Sequence, residues 1–177
     1  NLKGGRIDDI QLLKFHATTD PSSPPVTLFS PAQTKDTYYA EFGWTAIDPQ
    51  IKLPDATSIW KADRTDLIAS APLTLSWDNG QGLTFKRVLK IDENYMFSVT
   101  QSVENKSAKD VTVSAYGLLS KTAHALKSDY AIVHEGIVGH LNDKLQEIKL
   151  DDLEKDGKAK LLSKGGWLGI TDKYWLS

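Results

Sequence analysis

Residues 73–116 carry the pattern that decides the fold, LTLSWDNGQGLTFKRVLKIDENYMFSVTQSVENKSAKDVTVSAY. Apolar and polar residues alternate along four segments of this stretch, and turn residues separate the segments at 78–82, 92–94 and 105–110. A period of two is typical of a strand with one wet face, and turns about every 8–12 residues indicate consecutive antiparallel strands. The sequence therefore predicts a contiguous four-stranded meander within residues 73–120.

The unbroken phase of this alternation also predicts which side chains of the meander point into a core, because a slip of one residue would reverse every face. Polar side chains such as Thr74, Lys86 and Thr100 fall on the opposite, solvated face. The predicted inward set is Leu73, Leu75, Leu83, Phe85, Leu89, Ile91, Phe97, Val99, Val111 and Val113.

The rest of the chain also favours strands. Short apolar or alternating segments lie before the meander, within residues 10–15, 26–29 and 38–44, and after it, within 132–140, 144–148 and 167–171. Proline-rich loops separate the early segments, because proline removes a backbone donor. A single helical turn is indicated at Asp151–Lys155. We therefore predict an all-β protein, an antiparallel β-sandwich formed as one domain by residues 1–177.

Composition excludes several classes of function. The 177 residues contain 21 Lys and Arg against 23 Asp and Glu, a formal net charge of −2. This chain has no basic excess to neutralise a phosphate backbone, so we expect no nucleic-acid partner. Cysteine is absent, which excludes disulfides, thiolate metal ligands and cysteine nucleophiles. The apolar runs also fall short of the roughly 20 residues that a membrane-spanning helix needs.

Candidate catalytic and metal-binding residues do not converge in the sequence. The four histidines, at positions 16, 124, 134 and 140, lack the spacing that places two imidazoles on one metal ion. His134 and Glu135 would point to opposite faces of a strand. Adjacent carboxylates such as Asp8–Asp9 do not form the facing pair of a glycosidase. We therefore predict no catalytic centre, no cofactor and no metal site.

Aromatic residues are the remaining candidates. Trp44, Trp60 and Trp77 are expected in the sandwich core, the alternative being a groove for carbohydrate or peptide. Trp167, Tyr174 and Trp175 crowd into the last eleven residues, and we predict that they form an interaction edge. We expect this edge to be completed by strands following Ser177, so that the domain is truncated at its C-terminal end. The alternative is that the three aromatics already pack within the core of this chain.

The segment around these aromatics also resembles a known family. Residues 163–176, SKGGWLGITDKYWL, are similar to the signature stretch of the large periplasmic domain of the YidC family, the bacterial inner-membrane protein insertases. Residues 4–9, 24–28 and 38–44 resemble the alphaproteobacterial form of that domain. Residues 83–105 resemble its central hairpins. The resemblance extends over nearly the whole chain.

The resemblance implies a β-supersandwich of the galactose-mutarotase type, facing the periplasm from a membrane-embedded protein of the inner membrane. It implies a non-enzymatic insertase and chaperone role, with inner-membrane protein clients and with the Sec translocon and its accessory proteins SecD and SecF as partners. No insertase site residue can be transferred to this chain. The alternative hypothesis is a carbohydrate-binding or sugar-epimerising β-sandwich protein, because fold alone does not determine function.

Overall fold

The computed structural model describes residues 1–122, 136–172 and 175–177. These residues form a nearly all-β structure of antiparallel sheets, which confirms the predicted all-β, sandwich-like class. The chain divides into two compact units, Asn1–Ser120 and Lys121–Ser177. The described elements are β1 (Ile10–His16), β2 (Pro25–Phe29), β3 (Tyr38–Ala46), β4 (Lys61–Ala62), β5 (Leu73–Asp78), β6 (Leu83–Ile91), β7 (Phe97–Asn105), β8 (Val113–Lys121), β9 (Gly136–Leu141), β10 (Lys144–Lys149), α1 (Leu150–Asp156), β11 (Gly166–Asp172) and β12 (Trp175–Leu176).

The first three strands of the predicted meander form as expected. β5, β6 and β7 pair in sequence, with Trp77 opposite Phe85 and Phe85 opposite Val103, and β4 adds a short edge beside β5. The prediction for the fourth strand was wrong, because β8 pairs with β3 in a separate two-stranded sheet. Alternation indicates which face of a strand is buried and carries no information about which strand lies beside it.

The first unit contains three sheets, β1–β2, β3–β8 and β4–β5–β6–β7, and the last two share a core. Trp44 of β3 lies edge-on against Phe85 of β6, with 5.1 Å between ring centroids, and stacks near Trp60 at 6.3 Å. Phe85 and Trp60 are 0% and 1% exposed. Of the predicted inward set, Leu73, Leu75, Leu83 and Phe85 are buried, and Leu89, Ile91, Phe97, Val99, Val111 and Val113 are half-buried.

The predicted role of the central tryptophans in the core is confirmed for Trp44 and Trp60, while Trp77 is half-buried and packs against the same cluster.

In the second unit, β9 pairs with β10 on one side and with β11 on the other, and β12 follows at the end of β11. The predicted helical turn is the seven-residue helix α1, whose Leu153 carbonyl accepts a hydrogen bond from the Gly157 amide at 2.8 Å.

Candidate interaction edge

The register of the second unit places Trp167 in a row of side chains that crosses the sheet. His140 of β9 lies opposite Leu145 of β10 and also opposite Trp167 of β11. Directly paired residues share one face of a sheet, so these three side chains stand beside each other. Leu145 is 60% and Trp167 is 47% exposed. The row is therefore an apolar strip with a histidine at its centre.

Trp175 does not lie in that row. It pairs with Asp172 of β11, and odd- and even-numbered residues of a strand face opposite sides. Trp175 is half-buried on the face opposite Trp167. Tyr174, the third residue predicted for this edge, lies outside the described residues. The structure thus brings Trp167 and Trp175 to one strand pair, β11–β12, on its two different faces.

The backbone conformation at position 166 explains why the residue before Trp167 is a glycine. Its φ is 110°, a conformation that L residues rarely adopt, and a Cβ at this position would overlap the carbonyl oxygen of His140. Gly169 has a related role, because a Cβ there would overlap Leu176 and Ser177 of the terminal segment. The glycines in this block therefore permit close approach of neighbouring strands on both sides of β11.

The outer edge of β11 is only partly covered. The terminal segment pairs with it at Thr171 and Asp172, and the amide and carbonyl groups of Ile170 and Ser177 exchange two further hydrogen bonds of 2.9 and 3.2 Å. Among the described strands, none pairs with the outer side of residues 167–169. This short uncovered stretch lies next to the exposed side chains of Trp167 and Leu168.

A buried arginine in the first unit is a residue that our sequence reasoning missed. Arg87 is 2% exposed and lies beside two tryptophan rings, with its guanidinium carbon 4.2 Å from the centroid of Trp60 and 5.4 Å from that of Trp44. Its Nη1 donates hydrogen bonds to the carbonyl oxygens of Gly5 at 2.8 Å and Gly4 at 3.3 Å. The signal was present in the sequence, because Arg87 occupies an inward position of the alternation between Phe85 and Leu89.

Burial lowers the pKa of Arg87 to about 10, an effect that the charge of Glu41 opposes. The guanidinium therefore remains a cation at neutral pH. Its Nε and the Nε1 of Trp60 have no hydrogen-bond partner within the described residues. The cation is held by the ring faces and by two backbone carbonyls, which attach the N-terminal segment to the sandwich.

A partly buried carboxylate also lies in the first unit. Glu41 of β3 accepts a hydrogen bond from Arg6 Nε at 2.7 Å on one oxygen and from the Tyr116 hydroxyl at 3.0 Å on the other. Burial raises the pKa of Tyr116, and the hydrogen bond to Glu41 adds to that effect. Both carboxylate oxygens are engaged by neighbouring elements, which indicates a structural role in joining β3, β8 and the N-terminal segment.

The described residues contain neither a metal-binding cluster nor a membrane-spanning helix. Within 1–122, 136–172 and 175–177, no three His, Asp or Glu side chains lie close enough together to hold a metal ion. His16 contacts the Ser23 carbonyl at 2.8 Å and His140 lies in the strip beside Trp167, while His124 and His134 lie outside the described residues. No described helix has the length and apolar character to span a membrane.

These features define an all-β, sandwich-like protein in which the sheet of the second unit exposes apolar side chains. The family model described as "YidC periplasmic domain" matches residues 1–177, and the chain belongs to this family. Among curated relatives named "Membrane protein insertase YidC", that of Methylobacterium nodulans is 47% identical over 98% of the chain. Those of Methylobacterium radiotolerans and Bradyrhizobium diazoefficiens are 45% and 43% identical, over 98% and 100% of the chain. The chain spans about 30% of the length of these relatives.

Proposed function

We propose that this chain is the non-enzymatic periplasmic domain of an inner-membrane protein insertase, and that it assists client proteins through protein–protein contacts. The observation that carries the proposal is the match to the periplasmic-domain family over all 177 residues, together with relatives named as insertases. Inner-membrane proteins under insertion are the proposed clients. The Sec translocon, with SecD and SecF, is the proposed partner complex, and a chaperone role follows from contact with unfolded client segments.

The strip of Leu145, His140 and Trp167 is the proposed contact region within the second unit, together with Trp175 and the predicted contribution of Tyr174. Exposed apolar side chains in adjacent strands favour protein contacts, because burying them against a partner removes apolar area from water. Each aromatic side chain can bury on the order of 150–250 Å². Because the strip consists of two apolar side chains and one imidazole, we expect it to bind partners without a preference for charged surfaces.

The test uses a chimaera in which this chain replaces the corresponding domain of the Bradyrhizobium diazoefficiens insertase. A photoreactive residue at Trp167 is expected to cross-link newly synthesised inner-membrane proteins, whereas one at Asp20, on an exposed loop of the first unit, is expected to give few cross-links. In parallel, the isolated chain is incubated with a panel of hexoses and anomerisation is followed. Absence of client cross-links at Trp167, or saturable sugar turnover, would contradict the proposal.

A further inference from the structure

The two edges of the four-stranded sheet in the first unit differ in length. β7 pairs with β6 at all nine positions from Phe97 to Asn105 without a register shift. Within the described part of the chain, no strand pairs with the other side of β7. At the opposite edge of the same sheet, β4 contains only Lys61 and Ala62. A long, regular terminal strand presents a row of backbone donors and acceptors that a further strand can bind.

The edge formed by β7 also lacks the features with which proteins block strand addition. Residues 97–105 contain no proline, lysine or arginine, and their pairing with β6 contains no bulge. The only charged side chain is Glu104 near the C-terminal end of the strand, and it forms an ion pair with Lys86. Natural edge strands are commonly protected by short length, lysine, proline or a bulge. β4 is short and contains a lysine, and β7 has none of these protections.

The side chains of β7 indicate the chemistry of a matching strand. Phe97, Val99, Gln101 and Val103 are half-buried on the inner face, where Gln101 Nε2 donates a hydrogen bond to the Gly43 carbonyl oxygen at 2.9 Å. The outer face is an exposed row of hydroxyls from Ser98, Thr100 and Ser102. An added strand with the same alternation would place its apolar residues beside the inner row and its polar residues beside the hydroxyls. The hydroxyl and aliphatic side chains of β7 do not require charged residues in the added strand. The edge therefore suits extended segments of varied sequence.

The inner row of apolar side chains continues across the sheet. Val99 lies opposite Leu89 of β6, and Leu89 lies opposite Leu73 of β5. Leu73 and Leu89 also line an open groove of about 890 Å³ on the β4 side of the sheet, whose lining includes the charged residues Arg6, Lys61, Asp63 and Arg64. Apolar side chains of a strand added to β7 would therefore extend a row that runs from the buried Leu73 through Leu89 to Val99, the last two of which are half-buried.

From this geometry we infer that β7 binds an extended segment of a membrane-protein client by strand addition. The inference rests on the proposed function for the identity of the partner, and on an edge that is unpaired among the described strands for the mode of binding. Backbone hydrogen bonds supply the attachment, and the alternating faces of β7 favour segments that are apolar at every second residue. This binding mode holds a client segment in an extended state without requiring one particular sequence.

The test measures fluorescence anisotropy of a labelled nine-residue peptide of alternating valine and threonine, with one lysine added at each end, against the full 177-residue chain. Saturable binding is expected. Val99→Lys places a charge on the inner face of the edge strand and is expected to weaken binding at least tenfold. Val88→Lys is a control for an added charge away from the edge, because Val88 is also half-buried but lies on the central strand β6, opposite Thr100 on the outer face, and it is expected to change affinity less than twofold.

A second peptide, N-methylated at alternate residues so that one edge cannot donate hydrogen bonds, is expected not to bind the unmodified chain. This arm remains decisive if Val99→Lys fails to fold. Equal binding of both peptides, or equal losses in the two valine variants, would overturn strand addition. Sedimentation of the chain alone provides a further outcome: a dimer abolished by Val99→Lys would assign the edge to a second copy and overturn the client inference. Peptide binding without client cross-links in the chimaera would remove the proposed function and leave the edge intact.

Discussion

The two units of the chain use the same kind of antiparallel sheet and differ in how far their apolar side chains are covered. In Asn1–Ser120, the inner face of the main sheet packs under Trp44 of the β3–β8 sheet, and Phe85 is fully buried. In Lys121–Ser177, Val138 and Leu141 are buried, but Trp167 and Leu168 on successive positions of β11 remain about half exposed. Alternation assigns side chains to faces, and burial requires a second layer over one face.

The largest difference between the units is expected from truncating one side chain in each. Phe85→Ala removes a fully buried ring and should lower the free energy of unfolding by about 3–5 kcal/mol. Leu168→Ala removes an exposed side chain on β11 and should change it by less than about 0.5 kcal/mol. Urea denaturation followed by tryptophan fluorescence and circular dichroism gives both values. Similar losses in the two variants would show that the described exposure of Leu168 does not represent the protein in solution.

The difference between the units also shows what could be predicted from the sequence. The period-two pattern predicted the strands β5, β6 and β7 and the face that carries Phe85, because turn residues and alternation are local properties. It did not predict that β8 pairs with β3, since the choice of neighbour depends on a contact between segments about 70 residues apart. Tyr116 of β8 and Glu41 of β3 form one such contact.

The candidate site was predictable only in part. Aromatic and glycine residues within 163–176 identified the segment, and the positive φ of Gly166 gives a physical reason for one of these glycines. The separation of Trp167 and Trp175 onto two faces could not be read from their spacing, because it depends on the reversal of the chain between β11 and β12. Arg87 was overlooked because the predicted inward set contained only apolar residues, and the inward position between Phe85 and Leu89 was left unassigned.

An intermediate loss in the free energy of unfolding is expected when Arg87 is substituted. This prediction tests whether Arg87 is a buried polar anchor within the otherwise apolar core. Arg87→Ala removes the hydrogen bonds to Gly4 and Gly5 and the contacts with two tryptophan rings. We expect a loss of about 2–4 kcal/mol in the free energy of unfolding. Arg87→Met fills more of the vacated volume without a charge and should recover part of that loss.

Calorimetry of both Arg87 variants provides the measurement, and hydrogen exchange at the amide of Trp60 reports on the N-terminal segment. That amide bonds the Leu2 carbonyl at 2.9 Å, so it should exchange faster in both variants. A variant that keeps both the unfolding temperature and the exchange rate of the unsubstituted chain would refute a role for Arg87 in anchoring this segment.

The smallest of these effects is expected in the second unit, where two neighbouring glycines form a matched pair. Gly166→Ala introduces a Cβ that would overlap the His140 carbonyl oxygen at a φ of 110°, whereas a Cβ on Gly165 meets no atom within 4 Å. Gly166→Ala should therefore cost about 1–2 kcal/mol of local stability, and Gly165→Ala less than about 0.5 kcal/mol. Because the strain falls on the pairing of β11 with β9, amide exchange should accelerate across residues 167–171 and remain unchanged in β5–β7. Acceleration in both units would show that the two units unfold together, and no acceleration would show that a Cβ at position 166 does not strain the pairing of β9 with β11.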